Sequence, residues 1–161
     1  ELCEAATGVP LNDVALDLAR VLRYYLDAWK KNRIVLIGYS FGANVLPAVV
    51  NRLPQELRDR IDLMALLGLS DYASFKFDLT DWINHKPDQG GQPVRPEIEK
   101  LKTIKRLCIY GAEEKDALCS KLADLGVIVA KLPGDPHFDE DYPGVARRIL
   151  DQLPPLPPAK P

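Results

Sequence analysis

Arg33-Ile34-Val35-Leu36-Ile37-Gly38-Tyr39-Ser40-Phe41-Gly42 is the stretch on which the reading of this chain turns. Residues 33–38 form a short, β-branched apolar run between a charged turn and a glycine. Such a run suits a strand buried on both faces of a parallel sheet. A helix is expected over residues 42–52, stopping at Leu53-Pro54 because proline restricts the residue before it and cannot extend a helix. Between strand and helix, Gly38-Tyr39-Ser40-Phe41-Gly42 has the G-x-S-x-G spacing of a sharp turn that lifts a serine hydroxyl above the sheet. Glycines two before and two after the serine are expected to let the backbones pass closely. The pentapeptide occurs by chance in many chains, so its position between strand and helix is what gives it weight. The plainer alternative is a tight turn with an idle serine.

Outward from this turn, strands and helices alternate. Asn12 or Asp13 is expected to cap a helix over residues 14–30, with Leu16, Ala19, Leu22, Leu26 and Trp29 on one face. Residues 62–68, 105–111 and 127–132 read as further strands, and residues 96–101, 119–125 and 142–153 as helices. This alternation predicts a parallel sheet with helices on both faces. Residues 70–96 break the pattern, with Tyr72, Phe75, Phe77, Trp82 and Gly90-Gly91, and read as a long excursion over one edge of the sheet. Residues 1–153 are expected to form one domain, incomplete at its N-terminus, and 154–161 a proline-rich tail, disordered or polyproline-like.

Length and composition exclude several classes. The 161 residues can bury one core, and the 47% apolar and 27% charged content is that of an ordinary globular domain. A formal charge of −2 gives no strong attraction to nucleic acid or anionic membrane. No apolar run reaches the ~18 residues needed to span a bilayer, and no leader is visible at Glu1-Leu2-Cys3-Glu4. Three cysteines with no CxxC pair, together with two histidines, do not read as a zinc site, and no metal or cofactor is called for.

A serine needs a base to take its proton. His137 lies in the loop Pro133-Gly134-Asp135-Pro136-His137-Phe138, after the last expected strand, whereas His85 lies in the excursion with no strand to fix it. His137 is therefore the expected base. The base needs a carboxylate to hold its tautomer, and the loop Gly111-Ala112-Glu113-Glu114-Lys115-Asp116 offers candidates. Counting from the glycine favours Glu114; counting back from the loop's end, and the stiffer side chain, favours Asp116, which is preferred with Glu114 as the alternative. The order Ser40, Asp116, His137 is that of a serine hydrolase of the α/β-hydrolase type. The amide of Phe41 is expected to give one oxyanion donor. The second is expected from a loop after an earlier strand that this chain does not include, so the chain alone is expected to be poorly active. A bond between Cys108 and Cys119 would close a small ring around Asp116, with two buried thiols as the alternative.

Gly38 to Pro47, Asn51-Arg52-Leu53-Pro54, Ala65 to Ser70, Cys108-Ile109-Tyr110-Gly111, Asp116-Ala117-Leu118-Cys119 and His137-Phe138-Asp139 with Tyr142 together resemble the VirJ/AcvB family of bacterial virulence proteins. The resemblance covers residues 17–153. It implies an α/β-hydrolase domain in the periplasm, an association with type IV secretion components, and in some members hydrolysis of aminoacylated phosphatidylglycerol such as the lysyl form. It also implies Ser40 as nucleophile and His137 as base, and favours the Cys108–Cys119 disulfide. The family's early glycine-rich segment has no counterpart before Ser40, so the fold is expected without its N-terminal strands.

The expected function is thus that of a serine esterase acting on an aminoacyl-phospholipid. Asp71, Asp78 and Asp81 are candidates to meet a cationic aminoacyl group. One alternative is a non-catalytic accessory protein of a secretion system on a hydrolase scaffold. Another is a general carboxylesterase with the aromatic excursion as an acyl lid.

Overall fold

A computed structural model of the chain describes residues 11–73, 91–115 and 117–154. Helix α1 (Leu11–Ala28) leads into strand β1 (Ile34–Tyr39), helix α2 (Phe41–Asn51), the single turn α3 (Gln55–Arg58) and strand β2 (Ile61–Leu67). A two-residue ribbon, β3 (Tyr72–Ala73) against β4 (Gln92–Pro93), precedes helix α4 (Arg95–Glu99). Strand β5 (Arg106–Gly111), two 3-10 turns (Leu118–Lys121 and Ala123–Leu125), strand β6 (Ile128–Leu132), a 3-10 turn (Phe138–Glu140) and helix α5 (Tyr142–Leu150) complete the described chain.

Strands β1, β2, β5 and β6 lie in that order in one sheet, every neighbouring pair parallel. The central strand β2 carries residues with no room for water: Leu63, Met64, Ala65 and Leu66 are all fully buried. One face of the sheet packs Ile34, Leu36, Met64, Leu66 and Cys108 against residues of α2 and α4. The other packs Leu63, Ala65, Leu67, Leu107 and Ile109 against Phe138 and, on α5, Val145 and Ile149. Each element therefore hides an apolar side against the sheet, the arrangement that parallel strands require.

Several local expectations are corrected. Strand β1 is one of the two edge strands of the described sheet, and its burial alternates: Ile34 and Leu36 are buried, whereas Val35, Ile37 and Tyr39 are exposed. Helix α1 begins at Leu11, so Asn12 and Asp13 sit inside its first turn rather than capping it. Its inward side is Leu11, Ala15 and Ala19, while Leu16 and Trp29 are exposed. Small residues win there because α1 lies against Ala48 and Val49 of α2. The helix expected over residues 119–125 is replaced by two 3-10 turns. Leu118 N–H is tied to the carbonyl of Leu69, and Gly126, with φ of +71°, ends the segment in the left-handed region. Helix α5 stops at Leu150, three residues short of the expected end.

Arg106 is the buried charged residue of the described core. Its guanidinium donates to the carbonyls of Ile104, Ile98 and Leu125 at 3.2, 3.0 and 2.9 Å, and burial pushes its pKa down. It thus fastens α4 and the second 3-10 turn to the foot of β5, a use of the cation that keeps its donors satisfied. Cys108 and Cys119, both fully buried, are joined in the structure with Cα atoms 5.4 Å apart. The link spans the connection from β5 to the first 3-10 turn, within which Asp116 lies outside the described residues. Also outside them lie Cys3, His85, Asp78, Asp81 and the tail from residue 155.

Candidate active site

Ser40 stands between β1 and α2 with φ of +51° and ψ of −118°. A non-glycine residue at positive φ is uncommon, and one in this region costs about 1–3 kcal/mol. Three backbone bonds hold it there. Its N–H donates to the carbonyl of Leu67 on β2 at 2.8 Å, and its carbonyl accepts from the amides of Ala43 and Asn44 at 2.9 and 3.2 Å. The side chain is exposed. Phe41, the first residue of α2, places its amide at the positive end of that helix.

The two glycines of the motif are not equivalent. A Cβ on Gly38 would lie 2.7 Å from the Gly42 carbonyl oxygen and 2.8 Å from the Ala43 Cα, so the turn closes only over a glycine. A Cβ on Gly42 would meet nothing within 4 Å. The expectation that both glycines permit close passage holds for Gly38 alone.

Asn44 braces the neighbouring loop. Its side-chain oxygen accepts from the Ser70 amide at 2.9 Å, and its nitrogen donates to the Tyr72 carbonyl at 3.2 Å. Asp71, expected as a partner for a cationic substrate, instead pairs with Lys121 at 3.0 Å.

The loop after β6 comes up to the serine turn. Gly68, with φ of +62°, ends β2 where a Cβ would lie 3.7 Å from the Pro136 side chain and 4.0 Å from the Ser40 amide nitrogen. The Tyr39 ring meets the His137 imidazole edge-on, centroids 6.4 Å apart. Partial burial, then Tyr142, Asp135 and Glu114, raise the Tyr39 pKa. His137 itself is exposed, but Phe138 beside it is buried among Leu63, Leu67, Val145 and Ile149. Phe138, Asp139 and Glu140 have φ of +59°, +50° and +60°, a left-handed turn that throws the chain back toward α5.

The Asp135 carboxylate holds His137 twice. Oδ1 accepts from the His137 amide at 2.7 Å, and Oδ2 lies 3.3 Å from Nδ1. The His137 amide, and then its ring, keep the Asp135 carboxyl below the usual carboxylate range despite some desolvation. Glu114, the alternative acid, turns back to accept from the Gly111 amide at 2.5 Å. Asp116, the preferred acid, lies outside the described residues. An open cleft of about 540 Å³ is lined by Glu113, Asp135, His137, Asp139 and Glu140. Ser40 is not in that lining; its neighbour Tyr39 is in ring contact with His137, which is. Sequence reasoning missed Asp135, although an aspartate two residues before the histidine amide is the signature of an Asx turn.

A parallel sheet, a strained serine at the end of a strand and a histidine loop folded against it make this an α/β-hydrolase fold. The solved structure of E-2-(acetamidomethylene)succinate hydrolase superposes with a TM-score of 0.54 at 13% identity, over 86% of this chain and 73% of that one. A variant of the meta-cleavage product hydrolase CumD gives 0.50 at 15% identity, over 86% and 71%. The chain belongs to the VirJ family of bacterial virulence proteins, which matches residues 9–155. It is also 30% identical over 129 residues to 2-hydroxy-6-oxo-2,4-heptadienoate hydrolase of Pseudomonas putida. That match takes in 80% of this chain but 41% of the relative, so the chain spans less than half the length of that curated protein. Among the described residues no helix is long and apolar enough to cross a membrane.

Proposed function

We propose that this protein is a serine hydrolase that cleaves a carboxylic ester, with Ser40 as nucleophile and His137 as general base. The observation that carries this is Ser40 itself, an exposed serine held at φ of +51° on a strand-to-helix turn against which the histidine loop is folded. Strain of that kind persists only when its surroundings enforce it, and it gathers at functional sites. In the reaction, His137 takes the Ser40 hydroxyl proton as Oγ attacks the ester carbonyl. The tetrahedral oxyanion is met by the Phe41 amide at the α2 N-terminus. Collapse breaks the ester C–O bond, and the proton on His137 passes to the departing alcohol. Water, deprotonated by the same imidazole, then releases the acid and restores Ser40.

The substrate class we favour is an aminoacylated phosphatidylglycerol, such as the lysyl form. The four carboxylates around His137 suit a cationic aminoacyl group, and membership of a virulence family suits a periplasmic role alongside type IV secretion components. The Cys108–Cys119 bond suits an oxidising compartment. A fluorophosphonate probe on the full-length protein tests the chemistry. Labelling is expected in the wild type and abolished by Ser40→Ala; an unlabelled wild type would overturn the enzymatic reading and leave an accessory protein on a hydrolase scaffold. Thin-layer chromatography of lysyl-phosphatidylglycerol incubated with the labelling-competent protein then tests the substrate: loss of the lysyl form supports it, and an unchanged lipid overturns it.

A further inference from the structure

We infer that the aromatic ring of Tyr39 is a positioning group for the His137 imidazole, holding it beside the serine turn; this rests on the proposed roles of Ser40 and His137. Strand register brings the two rings together. Tyr39 is the last residue of β1 and pairs with Leu67 of β2, so the two side chains leave the sheet on the same face. Leu67 packs in the cluster that buries Phe138, and Phe138 directly follows His137. The residue before the serine and the residue before the buried phenylalanine are thus delivered to one side of the sheet by segments far apart in the chain.

Local packing supports the contact. A Cβ on Gly68 would lie 4.0 Å from the Tyr39 Cε2 and 3.7 Å from the Pro136 Cβ, so the ring and the histidine loop border the same point at the end of β2. From there the ring meets the imidazole edge-to-face, at 61° with centroids 6.4 Å apart. Ring pairs in this range of distance and angle attract beyond their buried area. The backbone of His137 is fixed otherwise, since the Asp135 carboxylate accepts from its amide at 2.7 Å. Its side chain is 66% exposed, and the 3.3 Å approach of Asp135 to Nδ1 is long and solvated, so the imidazole torsions are held weakly from that side. Tyr39 therefore sets where the ring lies and not which nitrogen carries the proton. That second task falls to a carboxylate, expected in the loop after β5. The Tyr39 hydroxyl has no hydrogen-bond partner among the described residues, which leaves the aromatic ring as the working part.

A ring pair of this kind favours one rotamer over its rivals by about two- to tenfold. Tyr39→Leu keeps apolar bulk at an exposed strand position and removes the ring; Tyr39→Phe keeps the ring and removes the hydroxyl. In full-length protein that labels at Ser40, Tyr39→Leu is expected to lower kcat toward a p-nitrophenyl ester about two- to tenfold, with KM nearly unchanged and the thermal midpoint kept. Tyr39→Phe is expected to restore most of that loss. Proton spectra of His137 are expected to show a ring-current shift in the wild type and in Tyr39→Phe that disappears in Tyr39→Leu. An unchanged kcat, or unmoved His137 ring protons, in Tyr39→Leu overturns the assignment. So does a rise in KM alone, which would make the ring a wall for substrate, or an equal loss in Tyr39→Phe, which would put the effect in the hydroxyl. An unlabelled wild type instead refutes the parent reading of Ser40, which keeps the two failures apart.

Discussion

The turn that carries Ser40 and the loop that carries His137 solve the same problem by different means. The serine turn is held by the secondary structure it joins: one backbone bond to β2 and two into the first turn of α2 fix one residue at positive φ. The histidine loop has no such frame. Three consecutive non-glycine residues, Phe138 to Glu140, take positive φ, and what holds them is a buried ring, an Asx turn and the loop after β5. Ser40, the proposed nucleophile, is placed locally, and His137, the proposed base, by tertiary packing. Substitutions should therefore damage the two by different routes.

The largest effect is expected at Phe138. Its ring is 3% exposed and anchors the loop to the β2 face that also packs Val145 and Ile149. Phe138→Ala is expected to destabilise the fold by about 3–5 kcal/mol through the cavity it leaves. Because the anchor sits next to His137, labelling of Ser40 should slow even under conditions where the variant remains folded. Urea unfolding measures the first effect and probe kinetics the second. A folded Phe138→Ala that labels at the wild-type rate would show that His137 is held by something other than this packing.

The same contrast explains what could be read from the sequence. The serine turn was legible because its requirement is local: a β-branched run, a glycine at 38 and a helix start at Phe41 follow one another along the chain. Parallel strand order was legible for the same reason, since strands alternated with short helical stretches. The exposure of Val35, Ile37 and Tyr39 was not, because an apolar run looks alike at the edge and at the centre of a sheet. The 3-10 form of residues 118–125 was not, because it depends on tertiary ties at Leu118 and Cys119. The hold of Asp135 on His137 was overlooked because chain order pointed to the preceding loop, while the contact is made within two residues.

Within the serine turn, the medium effect belongs to Gly38. Any Cβ there meets the backbone of Gly42 and Ala43 at under 3 Å, and backbone cannot swing aside as a side chain does. Gly38→Ala is expected to cost roughly 1–3 kcal/mol from overpacking, and to open the turn enough to abolish labelling. Thermal unfolding with probe labelling checks both. Retained labelling would mean that the Ser40 conformation does not depend on this closure.

The smallest effect, and the one of opposite sign, is expected at Gly42. It occupies the first turn of α2, and a methyl group there enters open space. Alanine is favoured over glycine in helices by up to about 1 kcal/mol, because glycine loses more backbone freedom on folding. Gly42→Ala should leave the thermal midpoint unchanged or raise it slightly, with labelling close to wild type. If the fold is kept but labelling falls, then the second glycine of the motif serves the approach of substrate to Ser40 and not the packing of the turn. The difference between Gly38 and Gly42 would then be one of role, with one glycine shaping the chain and the other clearing a path above it.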